Sequence, residues 1–433
     1  MTRRRTGQGS IGRAILVLLV ITWVAAARAG DGPPPSPWDE TAIRASYVVH
    51  AAPKEMPGHP ANPHTFVLLV DPDDRQLTLL DGKTYAPLRR IILDHALAVA
   101  PPVSPDGRFA FLAMRDGWVR KLDLATLHTV AEIRVGNALR SVALSGDGRV
   151  LMAGNATPHT LVALDAHDLT LIRRIPVRNK DGLTSGVARV VDATPRQSFI
   201  ATFRDLPEVW EMSYETSPQP VYEGLVHDFN LREGHIVEGP FAPRRSRLDM
   251  PIADFFFEPS FEHLVGVPPE GAIAHVVHLD VRRAIVRTPL PGRPHAGGGA
   301  AWQSAGRAVL ALPNYSQRVV SVLDRDTWQV LRHIPVDAPG SLLVSHDASP
   351  YAWLGGFDGA LRGCFVFIAK ATLEAAGHVC PQPGAMTAGL AFSRDGRHAL
   401  VSAGSTLVVY DSATLQEVKR VPLKAGSLSA PGT

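Results

Sequence analysis

Asp81, Asp123 and Asp165 each close a short apolar run and open a turn, and they are evenly spaced at 42 residues (123 − 81 and 165 − 123). The phrases around them are LTLLDGKTYAPLRRI, KLDLATLHTVAEI and VALDAHDLTLIRRI. SVLDRDTWQVLRHI at Asp324 and VVYDSATLQEVKRV at Asp411 repeat the pattern, about two steps apart, and Asp280 in HVVHLDVRRAIVRTPL reads as a further copy. A second phrase, a Gly-containing turn before a short apolar strand, recurs as SPDGR (104–108), SGDGR (145–149) and SRDGR (393–397). A fixed period of this length marks units that cannot bury their faces alone and stack on their neighbours. Four short strands per unit, closed into a ring, leave only short and protected edges. The chain is therefore predicted to be all-β: an eight-bladed β-propeller over roughly 64–423, with seven blades plus insertions as the alternative. No amphipathic helix of ten or more residues is expected between strands, which argues against an α/β fold.

The first residues read as an export signal. Arg3, Arg4 and Arg5 precede an apolar run from Ile15 to Val24, and Ala27-Arg28-Ala29 is a small-x-small cleavage site. Residues 1–29 are expected to be a signal peptide, 30–63 a Pro-rich segment and 424–433 a tail. Localisation is expected to be periplasmic, with no membrane span after cleavage. Apolar residues make up 45% of the chain, enough for a core. Net charge is only +3, with Lys and Arg scattered, so nucleic acid is not an expected partner. The two cysteines, Cys364 and Cys380, flank one predicted hairpin. They are expected to form a disulfide in an oxidising compartment, or else to be two buried thiols. No Cys-x-x-Cys-His occurs, so no c-type haem is attached to these residues.

Several phrases from the middle of the chain onward are less generic than the turns. PEVWEMSYE (207–215), YEGLVHDF (222–229), RLDMPIADFFFEPSFEHLVG (247–266) and LDVRRAIVRTPLPGRPHAGGG (279–299) resemble the cytochrome d1 propeller family, as does SHDASPYAWL (345–354). That family includes the d1 domain of cytochrome cd1 nitrite reductase and haem d1 biosynthesis proteins. The resemblance implies a haem d1 cofactor, or a precursor, on the central face of the propeller. It also implies a tetrapyrrole ligand or a periplasmic protein such as a c-type cytochrome as partner. Any chemistry would be of oxidoreductase type, and the missing c-type motif speaks against nitrite reductase itself.

Carried over residue by residue, the resemblance places a distal histidine at His295, in RPHAGGG, and the second distal position on Phe257, beside Glu258. The proximal position falls near Val99, with His95 the nearest imidazole and hence the candidate metal ligand. A histidine of the last blade falls near Gly389. His227 and His346, each followed by Asp, are candidate catalytic partners of His295. Arg204, Arg244 and Arg245 are candidates for the carboxylates of the macrocycle, because guanidinium forks match carboxylates. Trp302, with Trp210 and Trp353, is a candidate wall for a flat ring; packing between blades is the competing reading. Gly297, Gly298 and Gly299 are expected to let the loop lie close to the ligand. His275 and His278, three apart on a strand, point to opposite faces and make no metal pair. A cofactor-free propeller acting as a protein scaffold is the alternative function.

Overall fold

The computed structural model describes residues 38–52, 66–71, 75–223, 235–237, 239–357, 361–384, 387–403 and 405–423. Eight antiparallel sheets follow one another along the chain, spanning 66–92, 109–134, 138–176, 187–247, 254–289, 300–335, 342–379 and 387–422. They are blades 1 to 8 of a β-propeller. Blades 3 to 8 have four strands each, ordered from the axis outward as they occur in the chain, except for a hairpin inserted in blade 4. Blade 1 shows three described strands. In blade 2 the bridges Leu97–Met114 and Val103–Ala110 mark an irregular inner strand. Every inner strand runs the same way. The ring therefore has a mouth face, where inner strands begin, and a far face, where they end.

The recurring phrases take the places their chemistry suits. SPDGR, SGDGR and SRDGR sit on the far face, with Gly107, Gly148 and Gly396 at φ of 70° to 74°. The Ser104 hydroxyl accepts from the Phe109 amide at 2.9 Å, and Ser145 and Ser393 do the same for Val150 and His398. Asp81, Asp123, Asp165, Asp324 and Asp411 end the third strands. Their carboxylates accept amide hydrogen bonds from the turn that follows, as in Thr414 N to Asp411 at 2.8 Å. Four residues on, Tyr85, Leu127, Leu169, Trp328 and Leu415 adopt left-handed φ of 57° to 66° without being glycine, as does Leu373 four residues after Ala369 in blade 7. Such a conformation costs roughly 1–2 kcal/mol. What it gains is a side chain turned inward: Leu169 is fully buried, and Tyr85 and Trp328 nearly so.

Blade 5 departs from the expected repeat. Its left-handed residue is Arg282, which puts His278, not Asp280, at the aspartate position. The His278 ring accepts from the Asp280 amide at 3.3 Å, and Asp280 turns away to Arg196 and Arg244.

Neighbouring blades also tie to each other's turns. Lys121 donates to the carbonyls of Ala166 and His167, Thr288 to Trp328, Arg332 to Thr372, and Lys419 of blade 8 to Thr84 of blade 1. Blades 8 and 1 close the ring through Leu69, Leu80, Tyr85, Leu400, Leu407 and Val409. The Tyr85 hydroxyl meets the His398 ring at 3.0 Å.

Part of the Pro-rich segment is folded. Helix α1 (Glu40–Ala45) is capped by Asp39 and buries Ile43 against blades 2 and 3. Val48–Val49 then adds an outermost strand to blade 2. Read from the sequence alone, the charged and irregular stretches Pro218 to His235 and Pro240 to Asp254 are two loop excursions, and they resolve differently. Val221–Glu223 and His235–Val237 form a small hairpin. Pro243–Arg247, read as loop, is the outermost strand of blade 4. An outermost strand is paired on one side only and faces solvent, so PRRSR carries no apolar alternation for a sequence pattern to detect. Cys364 and Cys380 form a disulfide that extends the Phe365–Val379 register of blade 7 by one pair.

Candidate functional site

The mouth of the propeller holds a cavity of about 720 Å³ bounded by blades 3, 4 and 5. Arg140, Ala156, Ala188, Arg204, Asp205 and Pro251 are among its lining residues. This is within the size range of cofactor pockets. Two β-bulges shape it. In blade 3 the pairing jumps from Leu139–Asn155 to Ser141–Gly154, leaving Arg140 as the extra residue. In blade 4 it jumps from Val187–Phe203 to Arg189–Thr202, leaving Ala188. A bulge re-aims a side chain without ending the strand. Among the described residues, no hydrogen bond or ion pair engages the guanidinium of Arg140 or of Arg204. Both are exposed. Asp205 and Glu270 also line the cavity, but neither pairs with these arginines, whose free guanidinium forks suit a ligand with carboxylates.

Beside the cavity, one step further along the same inner strands, stands a charged chain. Arg189 follows Ala188, Asp254 follows Ala253 of the wall, and the two side chains form an ion pair. Asp254 also takes His295, at 3.0 Å between Oδ2 and Nε2. The other ring nitrogen, Nδ1, lies 2.5 Å from the Ser341 carbonyl of blade 7. The ring packs on Tyr315, with centroids 4.4 Å apart. Burial pushes the Asp254 carboxyl up, but His295 and Arg189 outweigh it and hold it below the ordinary aspartate value.

The three glycines after His295 serve this chain rather than an open surface. A Cβ on Gly297 would strike Asp254 and Arg189, and one on Gly298 would strike the Ser341 carbonyl and the His295 ring. Gly299 would meet Phe256. None of the three has a positive φ, so space, not conformation, demands glycine.

The other sequence candidates scatter. His95 stands on the mouth face in the loop before the inner strand of blade 2; it is 52% exposed, with Asp116 at 3.5 Å. His346 ends the inner strand of blade 7 on the far face, where a Cβ on Gly396 would hit its ring. His346 and His295 therefore do not share one mouth. Phe257 and Glu258 are also on the far side, and Glu258 is buried in a turn, accepting from Ser260 and Glu262 amides. The side chain that faces His295 is Asp254, three residues upstream of the expected Phe257. Arg244 and Arg245 lie on the outermost strand of blade 4, away from the axis. Arg244 pairs with Glu211 and Asp280, and Arg245 covers the Trp210 ring at 4.6 Å. Trp302 is buried between blades 6 and 7 and donates to the Lys370 carbonyl, and Trp210 and Trp353 are wholly buried. These indoles are core, not ligand walls. His275 is buried with lowered basicity from desolvation, while His278 stacks on His263. His227 lies outside the described residues.

Arg140, Asp254 and Arg189 were not among the candidates. The signal for Arg140 was a cation inside the otherwise uncharged strand ALRSVAL. Asp254 and Arg189 carried no local signal, because only the closed ring brings them to His295.

A ring of eight blades with a pocket at its mouth carrying two unengaged arginines defines a cofactor-type propeller, and the comparisons say which. Residues 61–227 and 263–430 match the cytochrome D1 heme domain family. The chain belongs to that family. It is 38% identical over 404 residues to dihydro-heme d1 dehydrogenase of Pseudomonas aeruginosa, covering 92% of this chain and 78% of that protein. It is 26% identical over 373 residues to Protein NirF of the same organism, covering 83% and 89%. Among solved structures, dihydro-heme d1 dehydrogenase NirN in complex with DHE superposes with a TM-score of 0.79 at 37% identity, covering 90% of this chain and 81% of that one.

Proposed function

We propose that this chain is a periplasmic haem d1 protein that binds a d1-type tetrapyrrole in the mouth cavity and dehydrogenates the dihydro form during cofactor assembly. The observation that carries the reading is the pair of unengaged arginines, Arg140 and Arg204, on a cavity flanked by His295, in a chain 38% identical to dihydro-heme d1 dehydrogenase. The residues present fit the macrocycle: arginines for its carboxylates, Pro251 and Ala188 as apolar wall, and His95 on the same face as the candidate metal ligand. The bound iron macrocycle would supply redox chemistry, as a cofactor does, while the protein positions it.

Dehydrogenation removes two electrons and two protons from the substrate. The chain's own contribution is to orient the substrate's carboxylates through Arg140 and Arg204 and to hold His295 at the wall, while the two protons leave to water at the open mouth. The electrons need an acceptor, of the c-type cytochrome class, whose attachment motif these 433 residues lack. No described helix is long and apolar enough to cross a membrane. Export would follow from the leader at residues 1–29, and N-terminal sequencing of the mature protein is expected to begin at Gly30.

The test is optical. Ferric haem d1 added to the purified protein is expected to give a saturable difference spectrum, and dihydro-haem d1 with oxidised c-type cytochrome is expected to be converted to haem d1. No spectral change at stoichiometric concentration would replace this reading with that of a cofactor-free scaffold.

A further inference from the structure

His295 has two ring nitrogens, and both face acceptors. Nδ1 lies 2.5 Å from the Ser341 carbonyl oxygen, which has no proton to give. Nε2 lies 3.0 Å from Asp254 Oδ2. That carboxylate is also paired with Arg189, and its Oδ1 accepts from the Phe255 amide at 2.9 Å. It has no proton to give either. A neutral imidazole donates through one nitrogen and accepts through the other, whereas the imidazolium donates through both. Only the doubly protonated ring satisfies both partners. Its two lone pairs are then spent, and a ring in that state cannot ligate a metal.

We infer that Arg189 and Asp254 are positioning residues that hold His295 as a doubly protonated, non-ligating ring at the wall of the funnel. Three independent features fix the arrangement. Gly297 leaves the room in which Asp254 and Arg189 meet, and Gly298 leaves the room for the Ser341 carbonyl. Tyr315 packs on the ring, with centroids 4.4 Å apart. Arg189 in turn keeps Asp254 ionised despite its burial, so that the carboxylate can only accept. The charged and titratable groups around the ring are Asp254 from blade 5, Arg189 from blade 4, and Arg293 and Tyr315 from the loops flanking blade 6. The consequence for the ligand rests on the function proposed above: a bound macrocycle would meet His295 as a fixed cation. Metal ligation would be left to the opposite side of the mouth.

The experiment reads the ring directly, in the full protein without ligand. Long-range proton–nitrogen NMR of nitrogen-15 histidine-labelled protein follows the His295 titration, assigned by comparison with His295→Gln. Asp254→Asn removes the negative partner and is expected to lower the titration midpoint by about 1 unit or more, a tenfold change in proton affinity. Arg189→Gln removes the competing cation and is expected to raise it. Opposite signs are the signature, because a merely structural role would loosen the ring in both variants and move the midpoint the same way. Midpoints that move together, or not at all, would overturn the inference. Should Asp254→Asn not fold, Asp254→Glu, which keeps the charge, must retain the doubly protonated ring, and its failure to do so overturns the inference equally. A second readout uses ferric haem d1 as the probe. His295→Ala should leave the iron spin-state bands of the loaded protein unchanged; loss of a nitrogen-ligand signature would overturn the assignment. Absence of any haem d1 difference spectrum in the unaltered protein would instead sink the proposed function while leaving the NMR result standing.

Discussion

The two faces of this propeller are built by opposite rules. On the far face blades 2, 3 and 8 repeat one solution: Ser and Asp side chains bond their own turn and Gly takes the left-handed position. On the mouth face the blades differ. Blade 3 projects Arg140 from a bulge, blade 4 supplies Arg189, blade 5 Asp254, and the loop into blade 6 His295. Two of the arginines there engage no partner among the described residues. Groups satisfied within a turn stabilise the ring, and groups left over or joined across blades are available to a ligand. The difference teaches where to look in a repeat protein: at the face where the repeat fails.

That contrast can be broken by substitution. The largest effect is expected from Arg140→Ala combined with Arg204→Ala. Charge-assisted hydrogen bonds contribute roughly 1.5–3 kcal/mol each, so ferric haem d1 affinity should fall at least about a hundredfold. Exposed side chains without partners contribute little to stability, so the thermal midpoint should stay put. Retained affinity in a spectral titration would remove the mouth face from function.

Next comes the disulfide, which also lies on the mouth side but on the outer half of blade 7. Cys364→Ser with Cys380→Ser opens a loop with sequence separation 16, and should cost about 3 kcal/mol in denaturant titrations. Haem d1 affinity should not change. A loss of binding here would show that the outer half of a blade also serves the ligand.

On the far face, Gly396→Ala puts a Cβ at φ 70° against the His346 ring, with an expected cost of about 1–2 kcal/mol and no change in ligand affinity. The smallest effect is in the pH dependence. The Asp254 carboxyl is held low in the folded chain, so the stability it contributes is complete above the ordinary aspartate range and is lost as pH falls through the lower folded value. Asp254→Asn should therefore lose its deficit relative to the unaltered protein as pH falls from the ordinary aspartate range through the lower folded value. A deficit independent of pH would mean that the ion pair contributes nothing.

The same contrast explains what could be read in the chain. The far face was legible because its turns are local: Asp, Thr and Gly at fixed offsets are enough to state the hairpin. Even there, the aspartate at 280 pointed two residues away from the true repeat position, since a histidine ring did the aspartate's work. The outermost strand 243–247 was missed because a solvent-facing strand needs no apolar pattern. His295 was legible by resemblance, but its partners were not. Asp254 is 41 residues from it, and Arg189 another 65 from Asp254. No window of sequence contains such a contact. Arg244, Arg245 and Trp302 looked like site residues by type alone, and the ring assigned them to its rim and its core.

Ring closure has a consequence of its own. The last blade meets the first through Tyr85 and His398, which lie 313 residues apart. Blades 2 and 3, strapped together by α1, can form from nearby sequence, but the barrel of blades shuts only when the final 30 or so residues arrive. Contacts this distant are entropically slow to form. For a chain synthesised amino end first, the mouth that would grip a tetrapyrrole does not exist as a closed funnel until synthesis is nearly finished. Loading is then a late event by geometry, and a chain cut short before residue 398 would leave an open arc.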